Sequence, residues 1–416
     1  MKHILTTLIC LILITACERN TKNNTPFSTD DYLHIIDLNK TAPEIPLSEV
    51  FASVTSIALE TTKNSLIGRI NKVVATPEYL IVLDNSIANA LFLFKKDGTF
   101  LHKFGRVGNG PGEYAEIADF CYDNTTGAIY MLDFQTDRVN LYDIHTGSFL
   151  KSIQLQNDNK GYYRHIYYHG GELYTDLRSF PGSTAEYLLY KRNKTTGEIE
   201  ETWFDIKTYS KNIDYTGWSP FLFCDENTFK FKTFFMDGIM SFEKGKITPF
   251  LAFTPEYTIN MGDVKGLNLK NDGLTSVDTE VQNYVRSTLN KVFDIDPYFE
   301  YKDLIYMEFN LGTKFKALIY NKKTKESKYV YRRSENDLLY KEVNKDKNSE
   351  FNQWSSTFIA QDDNGLYAVQ RSQTVDNLKK LLKHDRITEN FKSTAIELSN
   401  LEEDANPFLL YYEFKD

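Results

Sequence analysis

Four glycines recur in this chain at a nearly constant interval. Gly98 to Gly147 is 49 residues, Gly147 to Gly197 is 50, and Gly197 to Gly245 is 48. Each closes a polar turn after an apolar or aromatic strand end. Residues 91–94 run into Lys96-Asp97-Gly98, residues 140–142 into His145-Thr146-Gly147, residues 188–190 into Thr195-Thr196-Gly197, and residues 239–242 into Glu243-Lys244-Gly245. Glycine after Asp, Thr or Lys between alternating apolar segments is a hairpin signal, because tight turns need a positive φ. A fifth copy, 317–320 followed by Lys322-Lys323-Thr324-Lys325, has lost its glycine, and a helix-like stretch over 277–289 separates it from the fourth. A period near fifty residues with four strands per unit implies a β-propeller.

The first two units resolve strand by strand, at 70–74, 79–83, 90–94 and 100–104, then at 117–122, 129–132, 138–142 and 149–153. The fifth reads as 292–299, 304–309, 316–320 and 327–331. The sixth unit is split: strands at 354–360 and 365–370, a helical stretch over 375–382, then a C-terminal strand over 407–414. Residues 54–60 form an apolar-polar alternation with no hairpin partner of their own. Set beside the C-terminal strand, they complete the sixth blade and close the ring, which removes the open edges. The expected fold is therefore all-β, a six-bladed propeller with helical insertions, closed by its N- and C-terminal strands. A 14 % aromatic content, with 27 Tyr and 29 Phe, suits such pleated, half-buried surfaces.

The first residues carry a different signal. Lys2 precedes an apolar run over 4–16, the pattern of a signal peptide and too short to span a bilayer. The run ends in Ile14-Thr15-Ala16-Cys17, which resembles the lipobox of bacterial lipoproteins. That resemblance implies cleavage before Cys17 and acylation of Cys17, with enough acyl chains for stable anchoring. The domain reading is a signal peptide over 1–16, a lipidated N-terminus and tether over 17–50, and the propeller over 51–416. Without Lys2, 47 Lys and Arg face 57 Asp and Glu, a formal charge of −10. That balance argues against nucleic acid as a partner. Cys121 and Cys224 fall in different repeats and are expected to be separate buried thiols.

The run Phe104-Gly105-Arg106-Val107-Gly108-Asn109-Gly110-Pro111-Gly112-Glu113-Tyr114, with Ile57-Ala58-Leu59-Glu60-Thr61 upstream and Asn406-Pro407-Phe408-Leu409-Leu410 near the end, resembles the six-bladed β-propeller lipoprotein family of Bacteroidetes. Continued through Tyr130-Met131-Leu132-Asp133 and Arg138-Val139, it also looks like an NHL repeat. The resemblance implies the propeller and the lipid anchor, and it implies no activity.

The glycines at 105, 108, 110 and 112 do not form a phosphate loop, because a strand follows where that chemistry needs a helix N-terminus. They suit a tight crossover from blade one to blade two. If such a crossover lies on a channel rim, Arg106, Asn109, Glu113 and Tyr114 are the candidate ligand-binding residues. Asp133 and Arg138 flank the turn 134–137 and are expected to brace it. His165 and His169 lie about 13 Å apart if they share a strand, too far to hold one metal ion, and no metal or cofactor is expected. No nucleophile elbow or zinc-binding motif occurs. The leading functional expectation is a non-catalytic binding or scaffolding protein of the cell envelope, at the outer membrane, with a carbohydrate, peptide or envelope-protein partner. The alternative is a glycan hydrolase or lyase whose carboxylates converge at the channel mouth.

Overall fold

The computed structural model describes residues 27–157, 161–178, 184–209, 219–224, 228–233, 235–243, 246–260, 262–264, 277–331, 335–342, 357–371 and 374–415. The signal peptide, Cys17 and residues 18–26 lie outside them, as does the side chain of Cys224. Cys121 is a buried thiol in blade two.

Six small sheets make six blades. Blade one is Lys72–Ala75, Tyr79–Asp84, Ala90–Lys95 and Phe100–Phe104, and blade two is Ile117–Asp123, Ala128–Asp133, Arg138–Asp143 and Phe149–Gln154. Blade three is Ile166–His169, Glu172–Asp176, Tyr187–Arg192 and Ile199–Asp205, and blade four is Phe221–Cys224, Thr228–Phe231, Gly238–Glu243 and Lys246–Phe253. Within each of these blades, consecutive strands pair antiparallel in chain order. First strands of neighbouring blades lie side by side, 117–123 against 166–169 and 357–361 against 72–75. They are therefore the innermost strands.

In blade five the expected first strand, 292–299, is broken into Val292–Phe293 and Tyr298–Tyr301, which pair with opposite ends of Leu304–Leu311. Pro297 sits in the break, where it has no N–H to give to the ladder. Blade six combines Thr357–Gln361, Gly365–Gln370 and Phe408–Phe414 with the N-terminal strand Phe51–Ala58, which pairs antiparallel with 408–414 from Ala58↔Phe408 to Phe51↔Phe414. Both termini thus close the ring. Phe51 is fully buried there and lies among the rings of Tyr306, Phe358, Tyr412 and Phe414.

The period of glycines has a tertiary cause. Gly98, Gly147 and Gly197 have φ of +90°, +68° and +78°, and each turn is pressed against the blade before it. A Cβ on Gly98 would lie 2.0 Å from the Ala58 carbonyl oxygen, and one on Gly197 would lie 2.0 Å from that of Gln154. On Gly147 it would meet the His102 ring at 2.7 Å. In blade five Lys325 takes the same positive φ, +63°, and its amine reaches the Leu33 carbonyl.

Part of the segment expected as tether, 17–50, pairs with the body. His34–Ile36 adds to blade four as a fifth, parallel strand beside Lys246–Phe253, and Ala42–Ile45 adds to blade five beside Ser327–Val330. Ile36 and Leu38 are buried in the core between those two blades. Apolar burial of these few side chains binds the segment to the body.

Two insertions are helical, as expected. Val277–Thr288 buries Val281 and Val285 against Phe235, Ile259 and Phe293. Val375–Lys383 and Glu389–Leu398 interrupt blade six, and the helical spacing of Leu378 and Leu381 buries one face against Phe391, Ala395 and Leu398. Among the described residues, no helix is long and apolar enough to cross a membrane.

Candidate functional site

The crossovers between blades are held by one repeated device, an aspartate at the end of the second strand. In blade one, Asp84 accepts the backbone N–H groups of Gly68, Arg69, Ser86 and Ile87. In blade two, Asp133 accepts those of Ala115, Glu116 and Gln135. In blade three, Asp176 accepts those of Arg164 and His165 and also meets the His165 ring at 2.7 Å. All three carboxylates are buried. Burial alone would raise the Asp176 carboxyl, but His165 first and the Arg178 charge after it outweigh that and hold Asp176 below the ordinary range. Of these three, only Asp133 stands out in the sequence, beside the turn 134–137. The shared signal was an Asp at the end of each second strand, legible once the blades are aligned. Arg138, the other expected brace, donates from Nε to the Thr136 hydroxyl at 3.2 Å within the same turn.

The crossover over 105–114 is braced from within. Arg106 Nε meets Glu113 Oε1 at 2.6 Å, and Glu113 Oε2 accepts the Gly110 N–H at 2.8 Å. The Gly110 amide first and the Arg106 guanidinium second hold the Glu113 carboxyl below its usual range. Tyr114 is buried and donates its hydroxyl to the Asn89 carbonyl. Gly105 and Gly112 sit against Tyr142 and Phe149, on the third and fourth strands of blade two, and Tyr142 donates to the Gly112 carbonyl. The glycine run therefore seats on the outer strands, and the chain reaches the innermost strand only after Tyr114. Of the four candidate residues, Arg106 and Asn109 are exposed, and the Arg106 charge is paired.

Near the axis, Asp119 on the first strand of blade two joins three blades. It accepts Lys72 Nζ of blade one at 2.8 Å and the Ile166 N–H of blade three at 3.1 Å. Two further polar clusters join blades near the turns between first and second strands. Asp362 takes the hydroxyls of Tyr367 and Tyr411 and the amine of Lys96, at 2.5, 2.9 and 2.9 Å. Burial and the Asp362 charge drive both phenols well above their ordinary range. Glu300 takes Lys322 at 2.8 Å and the buried Lys230 at 3.5 Å. His34, on the added strand, lies beside this second cluster, with Lys325 Nζ 2.8 Å from its Nδ1.

His165 and His169 do not share a site. His165 precedes its strand and pairs with Asp176, while His169 is buried against Phe229. Among the described residues no group of three His, Cys, Asp or Glu side chains could hold a metal ion.

One surface feature escaped the sequence reading. Tyr162, at the crossover from blade two to blade three, is 47 % exposed, the one aromatic among the exposed large hydrophobic side chains of the described residues. Its ring lies 5.7 Å from that of Phe134, and the Arg164 guanidinium stacks on the same Phe134 ring at 4.4 Å. Arg178 is held alongside by two backbone hydrogen bonds with Tyr162. Their signal was an alternation, Tyr162-x-Arg164, which gains meaning only when Phe134 of another blade is placed beneath it.

Among solved structures, the chain is similar to a proposed exported protein of Bacteroides fragilis NCTC 9343. The two share 17 % identity with a TM-score of 0.68, over 91 % of this chain and 99 % of the other. A member of the DUF4221 family from Bacteroides vulgatus ATCC 8482 matches at 11 % identity and a TM-score of 0.48, over 88 % and 97 % of the two chains. The first likeness is one of fold. No curated protein matches the chain. The family model described as "Domain of unknown function (DUF4934)" matches residues 33–413, nearly the whole propeller, and the chain belongs to that family.

Proposed function

We propose that the chain is an exported protein of the cell envelope, lipid-anchored through Cys17 at the outer membrane, whose propeller binds a ligand without transforming it. The observation that carries the binding reading is a contrast in how the charges are used. Asp84, Asp119, Asp133 and Asp176 are each committed to backbone amides, a lysine or a histidine. The Arg164 guanidinium, by contrast, lies on the Phe134 ring and not against a carboxylate, and Arg178 acts on Asp176 through its charge alone. A hydrolase needs a pair of carboxylates with one left to act as acid. Tyr367 and Tyr411, compactly grouped with Lys96, are held as neutral phenols by burial and Asp362, which does not suit them to act as bases. The repeated aspartate brace also supports the NHL-like reading of the blades.

Anchoring is tested by metabolic labelling with an alkyne fatty acid: the protein takes up label, and Cys17→Ser does not. Equal labelling of that variant refutes the anchor. The binding reading is tested by incubating the protein with polysaccharides and measuring chain length and reducing ends. Unchanged polymers are expected, and shortening of any of them refutes a purely binding role.

A further inference from the structure

From the Tyr162 platform we infer a binding site for an anionic saccharide at the junction of blades two and three. The inference rests on the reading of the chain as a binding protein and names the ligand class. Three observations converge. Tyr162 presents an exposed ring supported by Phe134, and such a face suits the C–H side of a pyranose ring. Arg164 lies over the same Phe134 ring, which restrains its guanidinium at this junction. Its Nε is buried with no hydrogen-bond partner among the described residues, so a ligand meets the terminal N–H groups of this partly exposed side chain.

The nearby carboxylates are engaged: Glu116, whose carbonyl accepts the Phe134 N–H, accepts Gln135 Nε2 on its side chain. Asp176, the carboxylate at this junction, is occupied by the backbone of Arg164 and His165 and by the His165 ring. Arg178 lies opposite Tyr162 in the backbone, and its charge also acts on Asp176. The Arg164 guanidinium and an exposed ring on one Phe134 support, with the backbone of a second arginine alongside, form a local exception on a chain of net charge −9. A guanidinium matches a carboxylate or a sulfate with two parallel hydrogen bonds. The Tyr162 and Arg178 backbones are bonded to each other in both directions, Tyr162 N–H to Arg178 C=O and the reverse. An extended peptide therefore finds no open backbone here to pair with. Recognition must come from the ring and the guanidinium, which favours a saccharide ring bearing anionic groups.

The test is affinity electrophoresis of the whole protein through gels containing polygalacturonate, dextran sulfate, neutral dextran or polyglutamate. The expected result is retardation by one or both anionic polysaccharides and none by neutral dextran. Tyr162→Ala and Arg164→Ala are each expected to weaken binding roughly tenfold, the loss of one good contact. Arg69→Ala, a change of equal charge at the crossover into blade one, where Arg69 is exposed and, among the described residues, uses only its backbone N–H on Asp84, is expected to bind as the unaltered protein does. Circular dichroism and melting of each variant establish that it is folded, and Arg164→Lys, which keeps the charge and loses the fork, is expected to bind weakly.

Absence of retardation by both anionic polysaccharides overturns the inference, and so does retardation that survives Tyr162→Ala and Arg164→Ala. Equal retention by polyglutamate that is indifferent to Tyr162 shows simple charge attraction and also overturns it. Retardation accompanied by shortening of the polymer leaves the site standing and refutes the non-catalytic reading instead, so the two failures are distinguishable.

Discussion

Replacing Gly98 by alanine isolates what the contact between blades contributes to the ring. At φ +90° an L-residue costs about 1–2 kcal/mol for backbone conformation alone. The lower entropy of the unfolded alanine chain returns about 0.4–1 kcal/mol. The new Cβ would also lie 2.0 Å from the Ala58 carbonyl oxygen and 2.9 Å from its carbon. Neither atom belongs to a flexible side chain. The end of the closing strand must move, and with it the bond from Glu60 N–H to the Gly98 carbonyl. Overpacking of this kind costs about 1–3 kcal/mol, so the expected net loss is about 1–5 kcal/mol, centred near 3 kcal/mol. Gly170 is the internal control, with φ +56° and open space, nothing within 4 Å, where an alanine Cβ would stand. Gly170→Ala should cost about 1 kcal/mol or less by the same backbone reasoning. Urea unfolding followed by circular dichroism compares the two midpoints. Equal losses would refute the argument and leave turn conformation as the sole reason for the glycine period.

Phe51→Ala, which empties a fully buried site ringed by four aromatic side chains, should cost about 3–5 kcal/mol. A loss below about 1 kcal/mol in urea unfolding would show that the closing strand contributes little there. Asp133→Ala strands three backbone amides at the blade-two crossover and should cost about 2–4 kcal/mol. Limited proteolysis should then cut within 105–116 sooner than in the unaltered protein. Burial first, and then Lys325 and Lys322, lower the His34 pKa from 6.5 to about 4. The unfolded chain therefore takes up this proton first, so the contribution is complete above pH 6.5 and is lost as pH falls towards 4. The full shift is worth about 3 kcal/mol, which solvent screening at the cluster edge reduces to about 1–2 kcal/mol. His34→Gln should flatten the acid limb of stability against pH between those values, and an unchanged slope would assign the limb to other groups.

Local patterns were enough to derive blades one and two strand by strand and to place the turns of blades three and four. Two-residue alternation, turn glycines and the helical spacing of Leu378 and Leu381 depend on neighbours within a few positions, so they can be read from the residues alone. Closure was also legible, because residues 54–60 had a strand pattern and no partner, and residues 407–414 had the same need at the other end of the chain. The tertiary structure decided matters that join distant residues. His34–Ile36 and Ala42–Ile45 are too short to carry a period, and their parallel partners lie more than two hundred residues away. The glycine spacing pointed to turns, but the need for glycine at Gly98 and Gly197 comes from carbonyls of the preceding blade. The glycine-rich crossover drew attention through its composition, yet its charges meet each other, Arg106 to Glu113. Tyr162, Arg164 and Phe134 had no motif between them. Their common surface arises because Phe134 begins a turn in blade two while Tyr162 and Arg164 lead into blade three, and only the packing of one blade on the next brings the rings and the guanidinium together.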